Sequence, residues 1–409
     1  MGKLIVKNIG MLATPEGKTA RRGAEQNEIK VLRDAYVVME DGVIMEIGTG
    51  RKDVPGAEVL DAGGRLVTPG LVDAHTHLIF GGWRQNELGL KLHGATYLDI
   101  LAMGGGILST VNATRNATED ELVDKAREAL DEMLSLGVTT VEAKSGYGLD
   151  MDNELKQLRA IRRLNEEHQV DLVSTFLGAH AVPTEYKADR QAYIRFLCEE
   201  VIPVVAKEGL AEFCDVFCET GVFSAEESRV ILEAGKKWGL IPKIHADEID
   251  PIGGSELTAE VGAISAEHLI VCPPAGIAAM AKAGTVACCL PATSFYLGST
   301  FAPVRAMIEA GVPVAMASDF NPGSCPSLNL QFVMNLGCLR YRMTPEEVLT
   351  AVTLNGAAAI RRADKLGSLE VGKQGDLVIW NAPDLNYICY RMGSNLVRTV
   401  VKGGRLLRA

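Results

Sequence analysis

The chain has 409 residues, 47% of them hydrophobic and 23% charged, with a formal net charge of −11 and a pI near 5.3. That composition suits a protein with a large buried core, and the acidic balance argues against nucleic acid or an anionic membrane as a partner. The N-terminus lacks the long apolar core of a secretory signal, no apolar run approaches membrane-spanning length, and the nine scattered cysteines read as reduced thiols, so a cytoplasmic protein is expected.

Residues 3–68 contain short β-rich runs at 4–6, 36–40 and 43–47, with Asp41-Gly42 placed to turn the last two into a hairpin. From about residue 70 to 320, β-rich runs alternate with longer helix-like ones. Strands are expected at 71–78, 139–146, 171–180, 213–219, 241–247, 263–270, 286–292 and 312–319, rich in Val, Ile, Thr, Phe and Cys as befits strands buried on both faces. Between them, as at 119–136 and 153–167, apolar residues recur at helical spacing. Eight such β-then-α units point to a closed (β/α)8 TIM barrel of the α/β class, and no Gly-x-Gly-x-x-Gly follows the first strand to suggest a dinucleotide fold.

The 80–118 segment is a long interruption between the first two strands, punctuated by Gly81-Gly82 and Gly104-Gly105-Gly106, and such a loop is expected to wall or cover a substrate. After the barrel, short strands at 377–380 and 397–401 and a Gly403-Gly404 turn resemble the N-terminal pattern. Neither end alone has enough strands for a core. The expected organisation is a barrel at 69–364 beside a small β-sandwich domain built from 1–68 and 365–409.

In a barrel the chemistry gathers at the C-terminal ends of the strands. Read in order, those ends carry His75 and His77, then Tyr147, His180, Glu219, His245, His268 and Asp319. His75 and His77 face the same way, about 7 Å apart along one strand. A mononuclear catalytic metal needs about three protein ligands and a water. His75, His77 and His245 offer nitrogens, and Asp319 closes strand eight, which neighbours strand one in a closed barrel. One strand-end histidine is more often a hydrogen-bonded structural residue; the whole set in register favours a metal. Glu248, three residues after His245, is placed to shuttle a proton, though it could instead simply begin the next helix. His268 and His180 remain for orienting water and substrate, while His93 and His168 read as ordinary surface or loop residues.

His-x-His on strand one, His on strands five and six, Asp on strand eight and a composite terminal sandwich together resemble the amidohydrolase superfamily over essentially the whole chain. Dinuclear members typically carry a carboxylated lysine on strand four; residues 213–219 contain none, and Glu219 bridging a second ion is the weaker reading. The His-x-x-Glu at 245–248 resembles the mononuclear, deaminase-like branch. Within it, Phe80-Gly81-Gly82-Trp83-Arg84, Glu142-Ala143-Lys144-Ser145-Gly146-Tyr147-Gly148-Leu149, Phe176-Leu177-Gly178-Ala179-His180-Ala181-Val182-Pro183, Lys243-Ile244-His245-Ala246-Asp247-Glu248 and Asp319-Phe320-Asn321-Pro322-Gly323-Ser324 look like the members that open an imidazolone ring in histidine degradation.

That resemblance implies hydrolysis of 4-imidazolone-5-propanoate to N-formimidoyl-L-glutamate, one Zn2+ or Fe3+ per chain, and a homodimer. It implies that Arg84, Tyr147, His180, Glu248, Asn321, Gly323 and Ser324 line the substrate pocket. Two of these have independent chemical reasons. Arginine is the natural bidentate partner of a propanoate carboxylate, and the turn at 321–324, ahead of a helix-like run near Leu328, could present backbone N–H groups to an anion. The expected roles are Asp319 and His268 orienting water, His180 holding the developing oxyanion, and Glu248 passing a proton to the departing ring nitrogen. The rival within the branch is a deaminase of another ring, which would release ammonia.

Overall fold

A computed structural model describes residues 2–94, 103 and 105–407 of the chain. The part of the expected 80–118 wall at 95–102 and 104 lies outside the described residues, Gly104 included. The N-terminal strands are β1 (Lys3–Thr14), β2 (Lys30–Glu40), β3 (Val43–Thr49), β4 (Glu58–Asp61) and β5 (Leu66–Pro69). Asp41 and Gly42, at φ 49° and 88°, make the hairpin turn in the conformation that matches strand twist. After Gly70 alone the chain enters the barrel, β6 (Leu71–Thr76), β7 (Val138–Lys144), β8 (Asp171–Ala179), β9 (Phe213–Cys218), β10 (Ile241–Ala246), β11 (Ser265–His268), β12 (Val286–Cys289) and β13 (Val314–Met316). A Cβ on Gly70 would lie 2.3 Å from Thr139 Oγ1, so no larger residue fits this passage. The C-terminal strands are β14 (Leu377–Trp380), β15 (Val397–Lys402) and β16 (Arg405–Leu407), the last two joined through Gly403 and Gly404.

All eight expected barrel strands form, paired in parallel in sequence order from β6 to β13. The ring closes just past the end of β13. Thr76 bridges Phe320 in parallel, Asp319 N–H donates to His75 O (3.0 Å), His77 N–H donates to Phe320 O (2.9 Å), and Asp73 Oδ1 accepts from Ser318 N (3.0 Å). The terminal strands meet as expected, hydrogen-bonded in the order β16-β15-β14-β5-β1-β2-β3 with β4 also on β1. They share a core of Leu4, Val6, Ile9, Val37, Leu377, Ile379 and Val401 from both ends of the chain.

The expected helices run Glu119–Ser135 and Met151–Glu167. The first starts at a capping box, Thr118 with Glu121, and the second at Asp150, whose side chain accepts from Asn153 N. Each cap is worth about 1 kcal/mol. Each buried Leu, Ile or Val contributes about 1.5–3 kcal/mol, and Leu122, Val123, Leu130, Leu155, Leu158, Ile161 and Leu164 are all buried. Packing therefore outweighs capping in holding these helices on the barrel. All nine cysteines are free thiols, seven of them buried. Among the described residues no helix is long and apolar enough to cross a membrane.

Candidate active site

The strand ends bring His75, His77, His245, His268 and Asp319 into one buried cluster at the C-terminal mouth of the barrel. His75 Nε2 and His77 Nε2 lie 3.4 and 3.5 Å from Asp319 Oδ1, and His245 Nε2 is 3.4 Å from His77 Nε2. In a tetrahedron with metal–ligand bonds of about 2.1 Å, neighbouring donors sit about 3.4 Å apart. His75 Nε2 and Asp319 Oδ1 are buried with no hydrogen-bond partner. Two orphaned lone-pair atoms aimed at one point, among imidazoles, fit a cation. His268 and Asp319 hold positive φ, 70° and 55°, a strained backbone of the kind that collects at functional sites.

The far nitrogens of two of these imidazoles are tied down. His75 Nδ1 lies 3.2 Å from Glu267 Oε2, and His245 Nδ1 lies 3.0 Å from Asp215 Oδ2. A carboxylate beside Nδ1 keeps the proton there and leaves Nε2 as the lone-pair donor. Burial, with the nearby Lys144 and His245, holds His75 neutral, far below its usual pKa, and burial does the same for His77. Burial also opposes charge on His245, but the Asp215 carboxylate outweighs it and the net shift is upward. Asp319 is raised by burial, partly offset by His268, and its Oδ2 accepts a hydrogen bond from Thr293 Oγ1 (2.6 Å).

Glu248 projects over this cluster, with Oε2 3.6 Å from His268 Nε2, and burial pushes its carboxyl up to about 7. Its loop is fixed from β9. Glu219 accepts from Thr220 N (2.7 Å), Ile249 N (2.8 Å) and Asp250 N (3.1 Å). Those backbone amides occupy the carboxylate, so Glu219 holds the Glu248 loop. Tyr147 and His180 form one wall: the His180 ring stacks on His77 at 4.8 Å, and Tyr147 lies 5.2 Å from His180.

Two expectations change. His180 Nδ1 sits 3.0 Å from Gly146 O, and burial lowers its pKa to about 3. A carbonyl only accepts, so the neutral ring carries its proton on Nδ1 and presents Nε2 as an acceptor. It cannot donate to an oxyanion in this state. The turn at 321–324 also differs. Asn321 Oδ1 accepts from Gly323 N (2.8 Å) and Ser324 N (2.7 Å), while Asn321 Nδ2 donates to Asp319 O (2.7 Å) and Ser324 Oγ (2.9 Å). These amides face Asn321 and not an anion, because a short Asx side chain satisfies the turn locally. The following helix, Leu330–Tyr341, is capped by Asn329. What Gly323 does provide is room: the Arg84 guanidinium lies against it, and Arg84 Nε is 3.4 Å from Glu87 Oε2.

His93 and His168 stand apart from the site, His93 against Gly89 O and His168 against Asp131. The residues missed from the sequence are Glu142, Lys144, Asp215, Lys243 and Glu267, all fully buried beneath the histidines. The available signal was a charged residue inside an otherwise apolar central strand, which folded proteins rarely tolerate unpaired.

Residues 66–407 match the model of the amidohydrolase family. The chain is 52% identical over 414 residues to an imidazolonepropionase of Alkaliphilus metalliredigens (strain QYMF), covering 100% of this chain and 98% of that relative. It is 51% identical over 413 residues to an imidazolonepropionase of Brevibacillus brevis, covering 99% and 97%. Among solved structures, 5-methylcytosine deaminase from Klebsiella pneumoniae liganded with phosphonocytosine superposes with a TM-score of 0.75 at 17% identity, covering 99% of this chain and 98% of that one. Likeness at that identity speaks for the fold alone.

Proposed function

The chain belongs to the amidohydrolase family, and from that premise we propose that it hydrolyses the cyclic amide of 4-imidazolone-5-propanoate to N-formimidoyl-L-glutamate. One Zn2+ or Fe3+ is held by His75, His77, His245 and Asp319. The observation that carries this reading is that His75 Nε2 and His77 Nε2 lie 3.4 and 3.5 Å from Asp319 Oδ1 while His245 Nε2 lies 3.4 Å from His77 Nε2, in a chain 52% identical to a named imidazolonepropionase. When bound, such a metal lowers the pKa of water and polarises a carbonyl oxygen.

The chain's own residues supply the rest. Arg84 pairs with the propanoate carboxylate across the space beside Gly323, within the loop shaped by Asn321 and Ser324. Tyr147 and His180 wall the ring, with His180 Nε2 accepting a ring N–H. Asp319 and His268 orient the attacking water, whose oxygen bonds to the ring carbonyl carbon. Glu248, with a pKa near neutrality, takes the water's proton and returns it to the ring nitrogen as the C–N bond breaks. For this chemistry the barrel at 69–364 is the working body, and 1–68 with 365–409 form the supporting domain.

The test is incubation of the purified protein with 4-imidazolone-5-propanoate while its ultraviolet absorbance is followed. Absorbance is expected to fall without ammonia release, to stop with chelator, and to resume with zinc or iron. No loss of absorbance refutes the substrate, full activity after exhaustive chelation refutes the metal, and ammonia release from another heterocycle points to a deaminase. Elemental analysis of protein purified without added metal decides between zinc and iron.

A further inference from the structure

Barrel interiors are ordinarily filled with layers of bulky apolar side chains. Here the layer beneath the histidines is ionic. Side chains alternate along a strand, so the residue two positions before a strand-end ligand lies one layer deeper on the same inner face. Lys243 underlies His245 in this way, Ser265 underlies Glu267, and Glu142 underlies Lys144.

The connections run upward from two lysines. Lys144 Nζ donates to Glu142 Oε1 (2.7 Å) and to Asp215 Oδ2 (2.9 Å), and that same Asp215 oxygen is 3.0 Å from His245 Nδ1. Lys243 Nζ donates to Ser265 Oγ (2.8 Å) and to Ala359 O (3.2 Å), and lies 3.2 Å from Glu267 Oε1. Ser265 Oγ donates to Glu267 Oε1 at 2.5 Å, and the other Glu267 oxygen is 3.2 Å from His75 Nδ1. Glu142 is held further by Thr175 and, through its Oε2, by Thr76 N (3.4 Å), the peptide between the two strand-one histidines. Three carboxylates, Glu142, Asp215 and Glu267, thus share two lysines, all fully buried.

We propose that Lys144 and Lys243 are positioning residues for the metal, each fixing one histidine through an intervening carboxylate: Lys144–Asp215–His245 and Lys243–Glu267–His75. Buried carboxylates beside a cation site have an alternative. Without the lysines, Asp215 and Glu267 would be free to turn away, and the imidazoles would lose their aim. With the lysines in place, contacts of 2.9 Å from Lys144 to Asp215 and 3.2 Å from Lys243 to Glu267 hold each carboxylate stationary against its imidazole, so each Nε2 stays aimed at the site. The two relays approach from separate strands and anchor separate ligands, which holds the relative placement of His75 and His245 before any metal arrives. This inference rests on the metal site proposed above.

The test measures zinc affinity by competition with a chromogenic chelator, and the visible spectrum of the Co2+-substituted protein, in the full chain. Partners of metal-bound histidines are typically worth about 10–100-fold in metal affinity. Lys144→Met paired with Glu142→Gln keeps the buried charge balance, with Glu142→Gln alone as the control. The pair is expected to weaken zinc binding at least about tenfold relative to that control and to shift the Co2+ spectrum. Ser265→Ala removes the hydroxyl that holds both Lys243 Nζ and Glu267 Oε1, leaving only their direct 3.2 Å contact in the second relay, and is expected to weaken zinc several-fold even if the Lys144 variant does not fold. A purely structural role would lower thermal stability and leave the zinc affinity of the folded protein unchanged; that result in Ser265→Ala, or in a folded Lys144 variant, overturns the proposal. If the unaltered protein binds no zinc or iron, the metal reading itself fails. If it binds and the variants bind equally, only the relays fail.

Discussion

Gly323→Ala isolates the Arg84 contact. A Cβ at residue 323 would lie 1.6 Å from Arg84 Nη2, 2.1 Å from Cζ and 2.7 Å from Nη1. Ordinary carbon contacts begin at about 3.5 Å, so the guanidinium has to withdraw by roughly 2 Å. The backbone at 323 is not left-handed, and the obstructed atoms are the far end of a flexible side chain, so the fold tolerates the methyl. Binding does not. Charge-assisted hydrogen bonds of about 2.7–2.9 Å are broken by such a retreat. Each is worth about 1.5–3 kcal/mol, or roughly 10- to 150-fold in kcat/KM. The loss is expected mainly in KM if the carboxylate is held equally in the ground and transition states, since no charge changes on it during the reaction. Steady-state kinetics on 4-imidazolone-5-propanoate, with Tm as a check on folding, reads this directly. Arg84→Ala is expected to give a similar loss, and the double variant no more than Arg84→Ala alone, since both remove one interaction. A Gly323→Ala enzyme within twofold of the unaltered kcat/KM, or full additivity in the double variant, refutes the placement of the propanoate.

Glu248→Gln is expected to keep its metal and lose roughly 10²–10⁴-fold in kcat. A base must be ionised to take a proton, so activity limited by Glu248 falls as pH drops through its pKa of about 7. A bound cation favours the carboxylate and moves that limb lower, and Glu248→Gln abolishes it; an unchanged acid limb in the variant removes Glu248 from the proton path. Gln157→Leu tests the wall. Gln157 Oε1 accepts from Tyr147 N (3.0 Å) and its Nε2 donates to Ile79 O (2.7 Å). Losing both strands two buried backbone groups at about 1–3 kcal/mol each, so the denaturation midpoint is expected to fall and KM to rise; a variant unaltered in both would show that Tyr147 is held by something else.

The strand positions and the residues at their ends were readable because both are local properties. Alternation put His75 and His77 on one face, and runs of β-formers bounded by helical periodicity marked eight units whose ends carry His180, His245, His268 and Asp319. The hairpin turns at Asp41-Gly42 and Gly403-Gly404 were equally legible, because positive φ at consecutive residues favours those residue types. The tertiary structure decided what those residues are bonded to. Asp215 reaches His245, Glu267 reaches His75 across 192 positions, and Lys144 reaches Asp215 across 71. Such pairings follow from strand register and barrel closure, which no local pattern encodes. The same holds for His180, whose carbonyl partner Gly146 makes it an acceptor, and for Asn321, which turns its own amides inward. A side chain's identity sets what it can donate or accept, but only its neighbours in space decide which of those capacities remains for chemistry.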